Sequence, residues 1–415
     1  MLDCGSLPPS FSVTSTPAQR TPGLRVTTRG TRALRFFDRH PLVCHAALFA
    51  AVWLLYGDLV LRGYGREYFL RANDFWLSGG WPVIPGIDNV LLPGLAAAFS
   101  RAWTAAGFAF TERTFIVLAA IPYGCFIYGL SRFASRQRPG GPVLAAAVTL
   151  TLYTSGLVPY MTTWGGSVDG LLYLALLPVV VWPGSLGVFV AAAFVQCLNH
   201  YAGVIVLVLF AFVWHTLHAL DRPSRRDGVR YWLTTFGPRA AACAALLWAF
   251  MWFWQSRYPD EAILRQAAAA ENWATVPRAA RVITEVLGPF PWTLLSTLKL
   301  GILPIIALTA APWTDRRLRG LVLAAPFAVA FVLTFVFIDV TRMAMMFVMP
   351  GWLVTLLAAA GGFDFPAAWR RRFRRLLLAT ALLNVLIPNY YVNNGAVVVP
   401  PPRPIQALLE IIIDP

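Results

Sequence analysis

Apolar residues in this chain recur in blocks of about 20, the length a helix needs to cross the roughly 30 Å hydrocarbon core of a bilayer. The blocks run from position 41 to position 388, so the chain is read in crossings, not in soluble domains. Of its 415 residues 58% are hydrophobic and 13% charged, and mean hydropathy is +0.62. No water-soluble fold buries that much apolar surface. The expected fold class is all-α, a polytopic bundle of transmembrane helices.

The formal charge of +15 raises nucleic acid as a partner. The arginines, however, sit in short clusters between apolar blocks, with no nucleic-acid motif beside them. They fit the excess of basic residues in cytoplasmic loops. Lys299 is the one lysine. Four of the five cysteines, Cys44, Cys125, Cys197 and Cys243, lie inside apolar blocks and read as small buried hydrophobes. The first 40 residues, basic and rich in Ser, Thr and Pro, are expected to form a disordered cytoplasmic leader without a signal-peptide core.

Counting arginines on each side gives a path. Arg20, Arg25, Arg29, Arg32, Arg35 and Arg39 precede the block at 41–61, which places the amino terminus in the cytoplasm. The block at 113–131 ends in Arg132, Arg136 and Arg138. For those to be cytoplasmic, 89–108 cannot cross and is expected to lie along the external interface as an amphipathic or re-entrant helix. Four crossings at 142–160, 170–183, 186–198 and 201–219 lead to Arg222, Arg225, Arg226 and Arg230, the middle two being short enough for half-helices. Blocks at 238–255, 293–312, 320–338, 343–362 and 376–388 complete about eleven spans. The domain from 41 to 392 then carries external loops near 62–112 and 255–292, and the tail at 393–415 ends outside. The runs RRLR at 316–319 and WRRRFRR at 369–375 could hold anionic lipid, but read first as topology anchors. No internal repeat is evident.

Ionisable groups at membrane depth are expensive, so each asks for a reason. Asp339 and Arg342 stand three residues apart at the start of a span, on one helix face. Such an arginine can take a phosphate bidentately while a neighbouring carboxylate orients it; alternatively Asp339 caps the helix and Arg342 snorkels. The first external loop offers Arg66, Glu67 and Asp74 among Tyr64, Tyr68, Phe75, Trp76 and Trp81. Carboxylates beside flat rings suit a saccharide site and equally an interfacial belt. Asp169 and Trp164 belong to one external turn, Asn199 and His200 to another. Lys299, in the outer half of its span, either neutralises a phosphate or snorkels. There is no HExxH, cysteine–histidine cluster or DxD pair for a metal, and neither GxxxxGK[ST] nor GxGxxG for a nucleotide. No cofactor is expected, and a divalent metal has no evident ligand set.

A cytoplasmic start, one span, a long external loop with Glu67 and Asp74, an interfacial helix and a bundle containing short paired helices resemble the GT-C class of polytopic membrane glycosyltransferases; bacterial surface-polysaccharide polymerases are similar in span count and external arginines. The resemblance is architectural and covers roughly 41–392. It implies a polyprenyl-phosphate-linked sugar donor used at the periplasmic face of the inner membrane. By position it assigns Glu67 or Asp74 as the base and Arg342 as the phosphate-binding arginine. No family motif and no soluble carboxy-terminal domain accompany it. The alternative is a multi-span transporter or lipid-linked glycan flippase with Asp339, Arg342, Lys299 and His200 along its path.

Overall fold

The computed structural model describes residues 39–56, 69, 91–137, 140–162, 169–257, 290–313, 315–334, 340–389, 391–393 and 396–398. These form a helical protein with one small antiparallel strand pair. The helices are α1 (Pro41–Tyr56), α2 (Leu91–Ala105), α3 (Glu112–Ser135), α4 (Gly141–Tyr153), α5 (Leu157–Thr162), α6 (Asp169–Val181), α7 (Leu186–Asn199) and α8 (Tyr201–Leu220). They continue with α9 (Arg225–Arg257), α10 (Phe290–Leu298), a 3₁₀ turn (Lys299–Gly301), α11 (Ile302–Thr309), α12 (Arg316–Thr334), α13 (Val340–Ala360) and α14 (Ala367–Asn384). Strands β1 (Tyr391–Asn393) and β2 (Ala396–Val398) pair with Val392 opposite Val397.

Five elements are long and apolar enough to cross a membrane: Glu112–Ser135, Tyr201–Leu220, Arg225–Phe253, Phe290–Thr309 and Thr341–Ala360. Helices α1, α4, α6 and α7 are apolar but shorter. The segment expected along an interface is α2, which buries Leu92, Ala96 and Ala97 against Phe115, Ile116 and Ala119 at the start of α3. Its Phe99 and Trp103 stack at 5.3 Å. The leader, the larger part of both loops expected to be external, and the tail beyond 398 lie outside the described residues.

Helix α13 is the axis. It is apolar all round, the signature of a helix enclosed by protein, and 94% of its apolar window is buried. Helices α4, α8, α10, α11, α12 and α14 pack around it. Met343, Met345, Met346 and Met349 fill this interface with Phe347 and Trp352; unbranched thioethers suit such irregular contacts.

A helix leaves its last four carbonyls without intrahelical partners, and where protein covers such an end an unpaired carbonyl is costly. Basic side chains from neighbouring helices take that role. Arg319 of α12, fully buried, donates to Leu220 O (2.8 Å) and to the Asp221 carboxylate (2.5 Å) at the end of α8. Its guanidinium also lies 4.4 Å from the Trp313 ring centroid. Arg374 of α14 donates to Ala359 O (2.7 Å) at the end of α13. It passes Gly140, whose φ of 92° and missing Cβ suit the α3–α4 turn, since a Cβ would stand 3.0 Å from Nη1 of Arg374. Arg239 of α9 donates to Gly184 O (2.6 Å) in the turn after α6. The helix dipole favours each placement, a cation at a carboxyl end.

These contacts add to the reading of both basic runs. WRRRFRR forms part of α14 instead of preceding it, and within the two runs Arg319 and Arg374 are buried interhelical clasps while Arg316, Arg317, Arg371, Arg372 and Arg375 are exposed. R319A is therefore expected to destabilise the protein by about 2 kcal/mol, since it leaves Asp221 and a helix end unpartnered. R317A, at an exposed neighbour, should cost less than about 0.5 kcal/mol. Unfolding of both variants in detergent checks the difference.

Candidate functional site

At the opposite end of α13, about 30 Å from Ala359 for a helix of this length, three helix amino termini meet. Asp169 is the first residue of α6, Arg342 lies in the first turn of α13 and His200 precedes α8. The Arg342 guanidinium grips the Asp169 carboxylate through Nε to Oδ2 (2.5 Å) and Nη2 to Oδ1 (2.8 Å). The Asp169 side chain is 2% exposed and that of Arg342 21%, so the carboxylate is sealed in while the guanidinium reaches the surface.

The electrostatics explain this pairing. Asp169 sits where the dipole of α6 favours an anion, but Arg342 sits where that of α13 opposes a cation. A charged residue against its own helix dipole requires compensation, and Asp169 supplies it. Two of the five guanidinium N–H groups serve the carboxylate, which fixes the plane of the guanidinium.

His200 caps α8. Its Nδ1 accepts from the Ala202 backbone N–H at 3.1 Å, so the ring carries its proton on Nε2 and presents a donor there. Burial pushes its pKa down to about 4; the Arg342 charge adds to that effect and Asp169 opposes it. Beneath these groups lies a buried polar layer. Ser296 of α10 and Thr341 of α13 touch at 3.0 Å, and Asn199 and Thr293 are fully enclosed. Gln196 of α7 donates to Leu172 O of α6 at 2.8 Å. Strand β1 packs on α10 and α13 at this end.

Of the residues singled out from the sequence, Asp169, His200 and Arg342 are thus brought together. Glu67, Asp74, Arg66 and Asp339 lie outside the described residues; the carboxylate that holds Arg342 is Asp169, 173 positions away. Lys299 neither snorkels nor joins the trio. It is buried at a left-handed φ of 51°, and its Nζ donates to Ile387 O (2.6 Å), Asn389 Oδ1 (2.9 Å) and Asn384 O (3.4 Å). Asn384 in turn accepts from Leu300 N–H (2.8 Å) and donates to Leu298 O (3.0 Å), so Lys299 fastens the end of α14 to the broken helix α10–α11. Ser296, Thr341 and Gln196 were not singled out beforehand. Their signal is a polar side chain within an apolar span, which in hydrocarbon needs a partner on another helix.

Among the described residues no three His, Cys, Asp or Glu side chains come together as a metal site. No family model matches the chain, and neither a curated protein nor a solved structure does.

The depressed His200 pKa carries a sign. The unfolded chain takes up this proton near pH 6.5 and the folded one only near 4, so stability falls as pH drops through that window and is unaffected by this group above it. Histidine nitrogen NMR should show the Nε2–H tautomer unchanged from pH 7.5 to 5.5; titration of His200 near pH 6.5 contradicts the cap.

Proposed function

We propose that the chain is a multi-pass protein of the bacterial inner membrane, a glycosyltransferase or polysaccharide polymerase that draws on a polyprenyl-phosphate-linked sugar at the external face. About eleven crossings, a cytoplasmic amino terminus and an external carboxy terminus make up the arrangement. The five long apolar helices, with the shorter α1, α4, α6 and α7, support the membrane part of this reading.

One observation carries the proposal: a partly exposed arginine, held edge-on by a buried carboxylate, where three helix amino termini converge. Oriented N–H groups, positive dipole ends and a bidentate-capable guanidinium are the elements of a phosphate site. In this reading Arg342 binds the phosphate of the lipid carrier, Asp169 positions Arg342, and the Nε2–H of His200 donates to a phosphate or sugar oxygen. The acceptor hydroxyl transfers its proton to a carboxylate of the first external loop, Glu67 or Asp74, while its oxygen attacks the anomeric carbon. The bond from that carbon to the phosphate oxygen breaks, and the carrier leaves with the negative charge that Arg342 stabilises. No nucleotide enters the reaction, and the bilayer delivers the donor.

The break in the Phe290–Thr309 span at the 3₁₀ turn Lys299–Gly301 favours a second reading, a transporter or lipid-linked glycan flippase, because interrupted helices recur at transport sites.

Titration of a polyprenyl phosphate into the purified chain in nanodiscs tests the shared step. R342A is expected to weaken binding by about 10- to 100-fold, the worth of a charged hydrogen-bonded contact. D169N should weaken it less, and the uncharged polyprenol should bind all three proteins alike. Equal phosphate-lipid binding by R342A and the unaltered chain refutes the site. Glycan transfer in nanodiscs separates the enzyme from a flippase, which instead moves lipid between leaflets of a sealed vesicle.

A further inference from the structure

Helix α9 has 33 residues, about 50 Å at 1.5 Å per residue, against a hydrocarbon core of about 30 Å. Its surplus length begins with Arg225, Arg226 and Arg230, all exposed. With Val229, Leu233 and Thr234 they form a shallow, open surface groove on one face of this helix. Eighteen residues on from Arg230, a spacing that returns to the same face about 27 Å away, stands the exposed Trp248. Arginine at one level and tryptophan a hydrocarbon thickness away mark the two interfaces of a bilayer. The groove therefore lies at headgroup depth. Of the five long spans α9 is the least covered by protein, with 17% of its apolar window buried.

The charges in this groove differ from the other basic groups of the fold. Arg239, Arg319 and Arg374 are committed to helix ends. Nearby acids are turned elsewhere: Asp227 accepts a 2.6 Å hydrogen bond from Ser224, and Asp221 is held by Arg319. Among the described residues no hydrogen bond, ion pair or ring contact engages the side chains of Arg225, Arg226 or Arg230; only the Arg230 carbonyl accepts, from Thr234 Oγ1. Three like charges within two helical turns repel one another, and Arg225 and Arg226 also oppose the dipole of their own helix. An anion relieves both. Val229 and Leu233, 52% and 57% exposed, continue the groove toward hydrocarbon, so a fitting anion carries apolar chains.

We propose that this groove binds an anionic phospholipid, with its headgroup phosphate on Arg225, Arg226 and Arg230 and its acyl chains along Val229 and Leu233. The site is independent of the one at Arg342, which lies at the amino-terminal end of α13, whereas the ends joined by the arginine clasps adjoin this groove through the Arg222–Tyr231 and His215–Tyr231 contacts.

Native mass spectrometry of the full chain, titrated separately with phosphatidylglycerol and phosphatidylcholine, tests the assignment. The unaltered chain should prefer phosphatidylglycerol. The R225Q/R226Q/R230Q variant should lose that preference by about 100-fold, the product of three surface-charge contributions, while R371Q/R372Q/R375Q, at exposed arginines of α14, keeps it. L233E, at an exposed position, should weaken phosphatidylglycerol binding by placing a negative charge in the groove, which guards against misfolding of the triple variant. Inorganic phosphate at the lipid's concentration should not displace the lipid. Equal retention of the two lipids by the unaltered chain, full retention by the triple variant, or displacement by inorganic phosphate overturns the proposal.

Discussion

Several helices of this bundle end in carbonyl groups that basic side chains of other helices satisfy, and those contacts organise the molecule. Arg319, Arg374 and Arg239 reach from neighbouring helices to the ends of α8, α13 and the α6–α7 turn. Lys299 does the same for α14 from the middle of a broken helix. Each contact satisfies an acceptor, complements a dipole and joins two elements distant in sequence. Arg374 holds the end of α13, around which the rest packs, and the other three tie together other helices of the bundle.

The two ends of α13 differ in consequence. At the carboxyl end the cations are used up within the fold, and an aromatic group formed by Trp214, Trp313, Phe363, Phe365 and Trp369 packs beside them. At the amino end the charge stands against its own dipole and requires Asp169 to hold it. A placement that local preference opposes is where function is sought first, since stability alone gives no reason for it. The exposure of Arg342 beside a sealed Asp169 gives this end a direction: the guanidinium faces outward from a fixed carboxylate.

Much of the fold was legible because hydrophobic blocks and helix length obey one constraint, the thickness of hydrocarbon. The apolar stretches near 113–131, 201–219 and 343–362 reappear as α3, α8 and α13, and the short pair at 170–183 and 186–198 as α6 and α7, parted by a turn whose Ser185 caps the second. Less legible was what each arginine does. Within RRLR, Arg317 is exposed and Arg319 fully buried, a difference set by which residue faces the end of α8 and not by local composition. The partner of Arg342 was equally hidden. Asp339 stands nearer in sequence, but a bidentate grip depends on tertiary placement, which brought Asp169 across 173 positions. His200 could be placed beside that pair only once α8 had a defined start. Lys299 was misjudged for a related reason: a long cation in an apolar span usually reaches for the surface, and here the nearest acceptors were the exposed carbonyls of another helix.

The central claim is that the sealed Asp169 carboxylate and the partly exposed Arg342 guanidinium form one unit joining α6 to α13. A double-mutant cycle on unfolding in a membrane mimetic, with D169N, R342Q and the combined variant, measures their coupling directly. A bidentate pair with its carboxylate sealed predicts an interaction of about 2 kcal/mol, the double variant losing much less than the two single losses added together. Additivity within about 0.5 kcal/mol contradicts it, and with it the account of how this end of the bundle is organised.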